Sequence, residues 1–179
     1  MIALSAPRPK CALDRASPQR SGAYGLRLQV ALGIGGRPVC EARHSVHGPD
    51  HWQRVQRNGL LLCTRTDAHR NVVRLFALFH DSRRMNDGHD PDHGARGAEY
   101  AASLRGTAFQ LSGEEFAQLH EACVWHAHGV RHDDITIATC WDADRLDLGR
   151  VGIIPDPSRM CTDFGREIAA AGSVEPFLS

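Results

Sequence analysis

Several features are missing from this 179-residue sequence. No run approaches the roughly 18 consecutive apolar residues that a membrane span requires, which excludes an integral helical membrane protein. Neither sign of charge dominates, with Lys+Arg and Asp+Glu at 21 each. A chain built to wrap nucleic acid would carry a basic surplus, so that class is excluded too. There is no CxxC pair: the six cysteines (Cys11, Cys40, Cys63, Cys123, Cys140, Cys161) stand singly, which reads as reduced, mostly buried thiols instead of a disulfide framework. A secretory leader is not visible, because Pro7, Pro9 and Lys10 stand where its apolar stretch should lie, and a cytoplasmic location is the expectation. Lysine is nearly absent (Lys10 alone), a skew that by itself excludes nothing.

What is abundant is histidine, with eleven residues, all between His44 and His132. Hydrophobic residues at 42% and charged residues at 23% are ordinary for a soluble globular chain. Residues 1–40 are rich in Pro, Gly and Ser and read as a partly disordered N-terminal extension with one short element at 24–32. The GIGG at 33–36 lacks the spacing and the strand–turn–helix frame of a dinucleotide fingerprint.

Residues 41–179 read as one helical domain. Trp52, Val55, Gly59 and Leu62 recur at helical spacing, so a first helix is expected over 49–65 with Pro49 in its first turn. Residues 72–80 are apolar almost all round and fit a central buried helix. Asp90-Pro91 reads as a cap and first turn for a helix through His93, Ala98, Ala101 and Leu104 to Gly106. Ser112-Gly-Glu-Glu115 is a capping box for a helix that stops at Gly129. A further helix is expected over 135–148, and Asp156-Pro157 reads as the start of a last one through Phe164 and Ile168. Five or six helices with short links and no alternating strands make the class all-α.

On those helices His51 falls in the first turn of the first, and His80-Asp81 at the end of the most apolar one. Asp144 lies in WDADRLD on a late one, with Asp142 as the next choice and Asp147 on the same face as Asp144. An Asp beside a His at the end of an apolar helix is costly to bury unless a cation compensates it, and a divalent metal does so. His51-x-x-Arg54-Val55, then His80-Asp81, then Ala143-Asp144-Arg145-Leu146 resemble the HD-domain superfamily of metal-dependent phosphohydrolases, over about residues 44–165. The resemblance implies an HD-domain-like bundle in which His51, His80, Asp81 and Asp144 are metal ligands. It also implies hydrolysis of a small phosphate ester, a nucleotide or related phosphometabolite, by metal-activated water.

The superfamily often carries a Lys three places after the HD aspartate; here that place is Arg84, which keeps the charge with a different geometry. Arg83, Arg84 and Arg145 are the expected phosphate-binding residues, and Asp81, Arg84 and Asp87 the expected catalytic groups. Several families within the superfamily add histidines for a second ion, and His93, His126 and His128 occupy suitable places. The plainer reading of those three is an early-helix surface residue and a helix end favouring His⁺. A ligand set of nitrogen and oxygen without sulfur suits Mn, Fe, Co, Ni or Mg.

Two further HD pairs, His89-Asp90 and His132-Asp133, follow polar or glycine-rich sequence and read as loop and capping pairs. His120-Glu begins like the zinc-protease HExxH, but its second histidine, His126, is six residues on, about 120° round the helix and off the face. A metal-binding regulatory or interaction domain without turnover, and a di-iron oxygenase on the same fold, remain as alternatives.

Overall fold

The structure is a computed structural model that describes residues 45–178. The extension expected at 1–40, its short element at 24–32, and Cys11 and Cys40 lie outside the described residues. Six α-helices occur among the described residues, joined by turns and short 3-10 segments and without a named strand, so the class is all-α. They are α1 (Pro49–Leu62), α2 (Arg70–Phe79), α3 (His93–Leu104), α4 (Gly113–Trp125), α5 (Ile135–Arg145) and α6 (Asp163–Ala171). No helix among the described residues is long and apolar enough to cross a membrane.

Helix α2 is the centre of the bundle. Its Val72, Val73, Leu75, Phe76, Ala77, Leu78 and Phe79 are all buried, as its all-round apolar sequence requires, and it packs against α1, α3, α4 and α5. Helix α1 is one-sided: Trp52, Val55, Asn58, Gly59 and Leu62 are buried on a single face. Gly59 lies where three helices meet. A Cβ there would collide with Val73 Cγ1 of α2 and sit 3.3 Å from Ala143 of α5. The missing side chain is what lets α1, α2 and α5 approach closely. Gly97 does the same for α3, since its Cβ would strike the Phe79 carbonyl oxygen at the end of α2. The Gly97 contact brings the start of α3 to the end of α2, where His93 and His80 are placed, while Gly59 lies about two turns along α1 from His51.

The ends themselves follow local chemistry. Ser112 and Glu115 form the expected capping box, Ser112 Oγ accepting from Glu115 N at 3.2 Å and Glu115 accepting from Ser112 N at 2.8 Å. Asp134 caps α5, its carboxylate accepting from Thr136 N and Ile137 N at 2.8 and 3.0 Å. Asp134→Ala is expected to cost about 1 kcal/mol in urea unfolding at neutral pH. Burial works to raise the Asp134 pKa, but Gln118 and the two N–H groups outweigh it and hold it below 3.8. The stabilisation is therefore complete above 3.8 and is lost as pH falls through the depressed value, so the mutant penalty should shrink there.

Several boundaries differ from expectation, among them the end of α1, which stops at Leu62 and not at 65. Asp90 does not cap α3; its carboxylate accepts from Met85 N at 2.8 Å and from Arg96 at 2.6 Å, closing the loop after α2. Helix α4 ends at Trp125, and α5 ends at Arg145 with a 3-10 turn over Leu148–Val151 in place of its last expected turn. The helix expected from Asp156 is split into a 3-10 turn (Pro157–Arg159) and α6. The cause of the split is Asp142, whose buried carboxylate accepts from Cys161 N, Thr162 N and Thr162 Oγ1, each at 2.8 Å. That pull holds the segment extended, and Thr162 then caps α6 by accepting from Gly165 N at 2.9 Å.

Candidate metal centre

Helix ends supply every group in the buried cluster. His51 is in the first turn of α1, His80 caps α2 and Asp81 follows it, Asp144 is in the last turn of α5, His93 begins α3 and His126 caps α4. Three of these ends are C-terminal, where the carbonyl dipoles favour a cation.

The four residues expected as ligands converge. His51 Nε2 lies 3.0 Å from His80 Nε2, 3.5 Å from Asp81 Oδ2 and 3.4 Å from Asp144 Oδ1. His80 Nε2 is 3.6 Å from Asp81 Oδ2 and 3.8 Å from Asp144 Oδ1. Nitrogen and oxygen ligands bound at about 2.1 Å stand about 3.0 Å apart at right angles and about 3.4 Å apart at tetrahedral angles. The five observed edges bracket those values, as donors that share a divalent ion would. Three overlapping triads in the cluster have this capacity: His47, His51 and Asp81; His51, His80 and Asp144; and His80, Asp81 and His126.

The opposite ring nitrogens are also committed. His80 Nδ1–H donates to the Phe76 carbonyl at 3.0 Å, His126 Nδ1–H to that of Cys123 at 2.7 Å, and His93 Nδ1–H to that of Asp90. His51 Nδ1 lies 2.7 Å from Asp147 Oδ2, and Asp147 is held in turn by Arg54 Nε at 2.7 Å. Carbonyls and carboxylates accept only, so Nδ1 carries the proton and a neutral ring presents a bare lone pair at Nε2. Two such lone pairs facing one another at 3.0 Å need a proton or a cation between them.

The charge balance follows from this packing. Burial pushes the His80 pKa down to about 3, although Asp81 and Asp144 oppose it, so its lone pair stays available. Burial also works to lower His51 and His126, but for His51 the Asp147 and Asp81 carboxylates outweigh it, and for His126 chiefly Asp81, so both are raised. Burial works to raise Asp81 and Asp144, yet the surrounding imidazoles hold both below the ordinary carboxylate value.

The remaining expected residues have separate destinations. His93 and His126 join the cluster around Asp81 Oδ1, at 3.2 and 3.5 Å. His128 does not, being exposed on the turn after α4. Arg84 is buried within the cluster, 3.4 Å from Asp81 Oδ1. Arg83 is placed elsewhere, its guanidinium stacked 3.4 Å over the Tyr100 ring. Arg145 is used structurally: it donates to the carbonyls of Gly129, Val130 and Arg159, tying the loop after α4 to the loop before α6. Asp87 is exposed and accepts from Ser45 Oγ at 2.5 Å, and that hydroxyl accepts in turn from His47 N at 3.1 Å. Asp142 supports α6, as described above, and is not a ligand. His132 pairs with Glu121 at 3.1 Å, as a loop histidine should. The four described cysteines are free thiols, and none is in the cluster.

Two contributors escaped the sequence reading. His47, in the turn before α1, places Nδ1 2.7 Å from Asp81 Oδ2; its only signal was its spacing of four from His51. Asp147 was visible on the Asp144 face, but its hold on His51 was not. A partner of this kind orients its ligand and raises its basicity, so Asp147→Asn is expected to weaken metal binding about 10–100-fold in a chelator-competition titration, with the fold intact.

The chain matches no protein-family model, no curated protein and no solved structure, so the functional reading rests on this geometry.

Proposed function

We propose that this chain is a metal-dependent phosphohydrolase of the HD-domain type, acting on a small phosphate ester such as a nucleotide or related phosphometabolite. The observation that carries the reading is that His51 Nε2 and His80 Nε2 lie 3.0 Å apart and each lies 3.4 to 3.8 Å from Asp81 Oδ2 and Asp144 Oδ1. A divalent ion held by those atoms would supply Lewis acidity, making water a nucleophile near neutral pH and polarising a phosphoryl oxygen. An N/O donor set of this kind suits Mn, Fe, Co, Ni or Mg.

The protein's own groups set up that chemistry. Asp147 fixes the His51 ring, the Phe76 carbonyl fixes His80, and His47 holds Asp81 Oδ2. Solvent reaches the cluster at Asp144 and His47, whose side chains are 18% and 15% exposed while His51 and His80 are fully enclosed. Substrate therefore meets the centre from that side. A cavity of about 590 Å³ adjoins it, lined by Arg54, Arg57, Arg150 and Asp147 among others. Arg150 reaches to 3.5 Å from His47 Nδ1. Arg54 and Arg57 take the phosphate-recognition role expected of Arg83, Arg84 and Arg145, since guanidinium groups match phosphate geometry, whereas Arg150, like Arg145, is held by backbone carbonyls, those of Val46 and Asp147.

The test is elemental analysis of the purified protein, followed by phosphate release from a panel of nucleotides and phosphomonoesters with added Mn, Co, Ni or Mg. Bound metal with metal-dependent turnover supports the proposal. Bound metal without turnover across the panel favours a binding domain, and iron with oxygen uptake favours an oxygenase.

A further inference from the structure

The cavity that carries Arg54 and Arg57 has an apolar rim. Gly149, Arg150 and Pro155 line it, so the loop 149–155 begins and ends on its edge. Within that loop Val151, Ile153 and Ile154 are exposed, Ile154 to 79%. Val46, on a separate segment, lines the cavity and is 39% exposed. Arg150 Nε donates to the Val46 carbonyl at 2.9 Å, which ties the two segments into one lip. Apolar side chains scattered singly over a surface need no explanation, whereas a group of them on the rim of a cavity marks a binding site.

The apolar surface continues inward. Leu146, Ile168 and Val174 line the same cavity and are buried. Arg54 and Arg57, about one turn apart on α1, add positive charge to it. Anion-binding donors and apolar wall therefore share one concavity of about 590 Å³, a size that suits a small amphiphilic molecule. None of its described lining residues is aromatic, so a nucleobase finds no ring to stack on. A flat lipid surface could touch the lip but could not follow it inward to Leu146 and Ile168. A flexible chain does both.

We propose that the substrate is a phosphate ester of an aliphatic alcohol, with its phosphate end toward Arg54 and Arg57 and its chain on Leu146, Ile168, Val174 and the lip. The inference rests on the hydrolase reading above and narrows its substrate class. In the reaction the water oxygen bonds to phosphorus, the ester P–O bond breaks, and the alcohol leaves with a proton from that water. Each methylene that the cavity takes out of water should tighten binding about fourfold.

The experiment is calorimetric titration of the full-length protein, with Mn added, against methyl-, butyl- and octylphosphonate. These share one anionic head, lack the scissile bond and need no turnover. Octylphosphonate should bind at least about 100-fold more tightly than methylphosphonate, with butylphosphonate between them. Ile154→Ser changes a side chain too exposed to support the fold, and should cut the octylphosphonate affinity at least about fivefold while methylphosphonate binding holds. Affinity that does not rise with chain length would overturn the proposal. So would an Ile154→Ser effect confined to binding of phosphatidylcholine vesicles, or to self-association in sedimentation, since the lip would then be a membrane or subunit contact. Failure of the hydrolase reading looks different: affinity rises with chain length, yet octyl phosphate releases no phosphate, which leaves an amphiphile-binding site without turnover.

Discussion

Asp81→Ala is expected to bring bound metal down to background and to cut phosphate release at least about 1000-fold. A metal's contribution to such a reaction is several kcal/mol, and each 1.4 kcal/mol is about tenfold in rate. Asp81 is the residue on which the cluster converges: His47, His51, His80, His93, His126 and Arg84 all lie within 3.6 Å of one of its oxygens. His51→Ala, His80→Ala and Asp144→Ala should behave alike, because each removes a donor from the same centre. His132→Ala should leave metal and activity intact, since that ring pairs with Glu121 on the surface. Asp142→Ala separates the two late aspartates: it should lower stability by releasing Cys161 N and Thr162 N, yet keep the metal. A variant of the first four that keeps full metal and full activity is not a ligand.

Phe76→Ala should produce the largest loss of stability. The ring is fully buried at the centre of α2 and stacks on His80 at 4.8 Å between centroids. Truncating a core Phe removes its transfer energy and leaves a cavity that neighbours only partly fill, costing about 3–5 kcal/mol. That is a large share of the 5–15 kcal/mol typical of a domain. Urea unfolding of the metal-free protein measures it directly, and a change below about 1 kcal/mol would mean that Phe76 is not in the core. Metal affinity should fall too, because the His80 ring loses the surface it rests on, although its bond to the Phe76 carbonyl is retained by the mutant backbone.

Much of the helix plan was legible because its causes are local. Pro49 at the start of α1, the Ser112–Glu115 box and the one-sided face of α1 each act within a turn or two of chain. The boundaries that sequence misread were set by distant partners. Asp90 looked like a cap, but Arg96 and Met85 N claim its carboxylate. The segment at 156–168 looked like one helix, but the Asp142 carboxylate interrupts it. Arg145 looked like a phosphate ligand, and three backbone carbonyls take its donors instead.

The sequence by itself supplied the candidate donors: two imidazoles and two carboxylates, no sulfur, each expected at a helix end where an unpaired charge would be costly to bury. It also distinguished His80-Asp81, which follows an apolar helix, from two similar pairs in polar loops. Only the tertiary structure decided which groups share a centre. His51 meets a ring 29 residues away and a carboxylate 96 residues away, and these meetings need the close approach of α1 to α2 and α5 that Gly59 permits. The third dimension also aims each lone pair, through the backbone oxygen or carboxylate that takes the opposite N–H, and it turns Arg84 inward. Residue order records which donors exist; their directions come from non-local contacts that no spacing along the chain encodes.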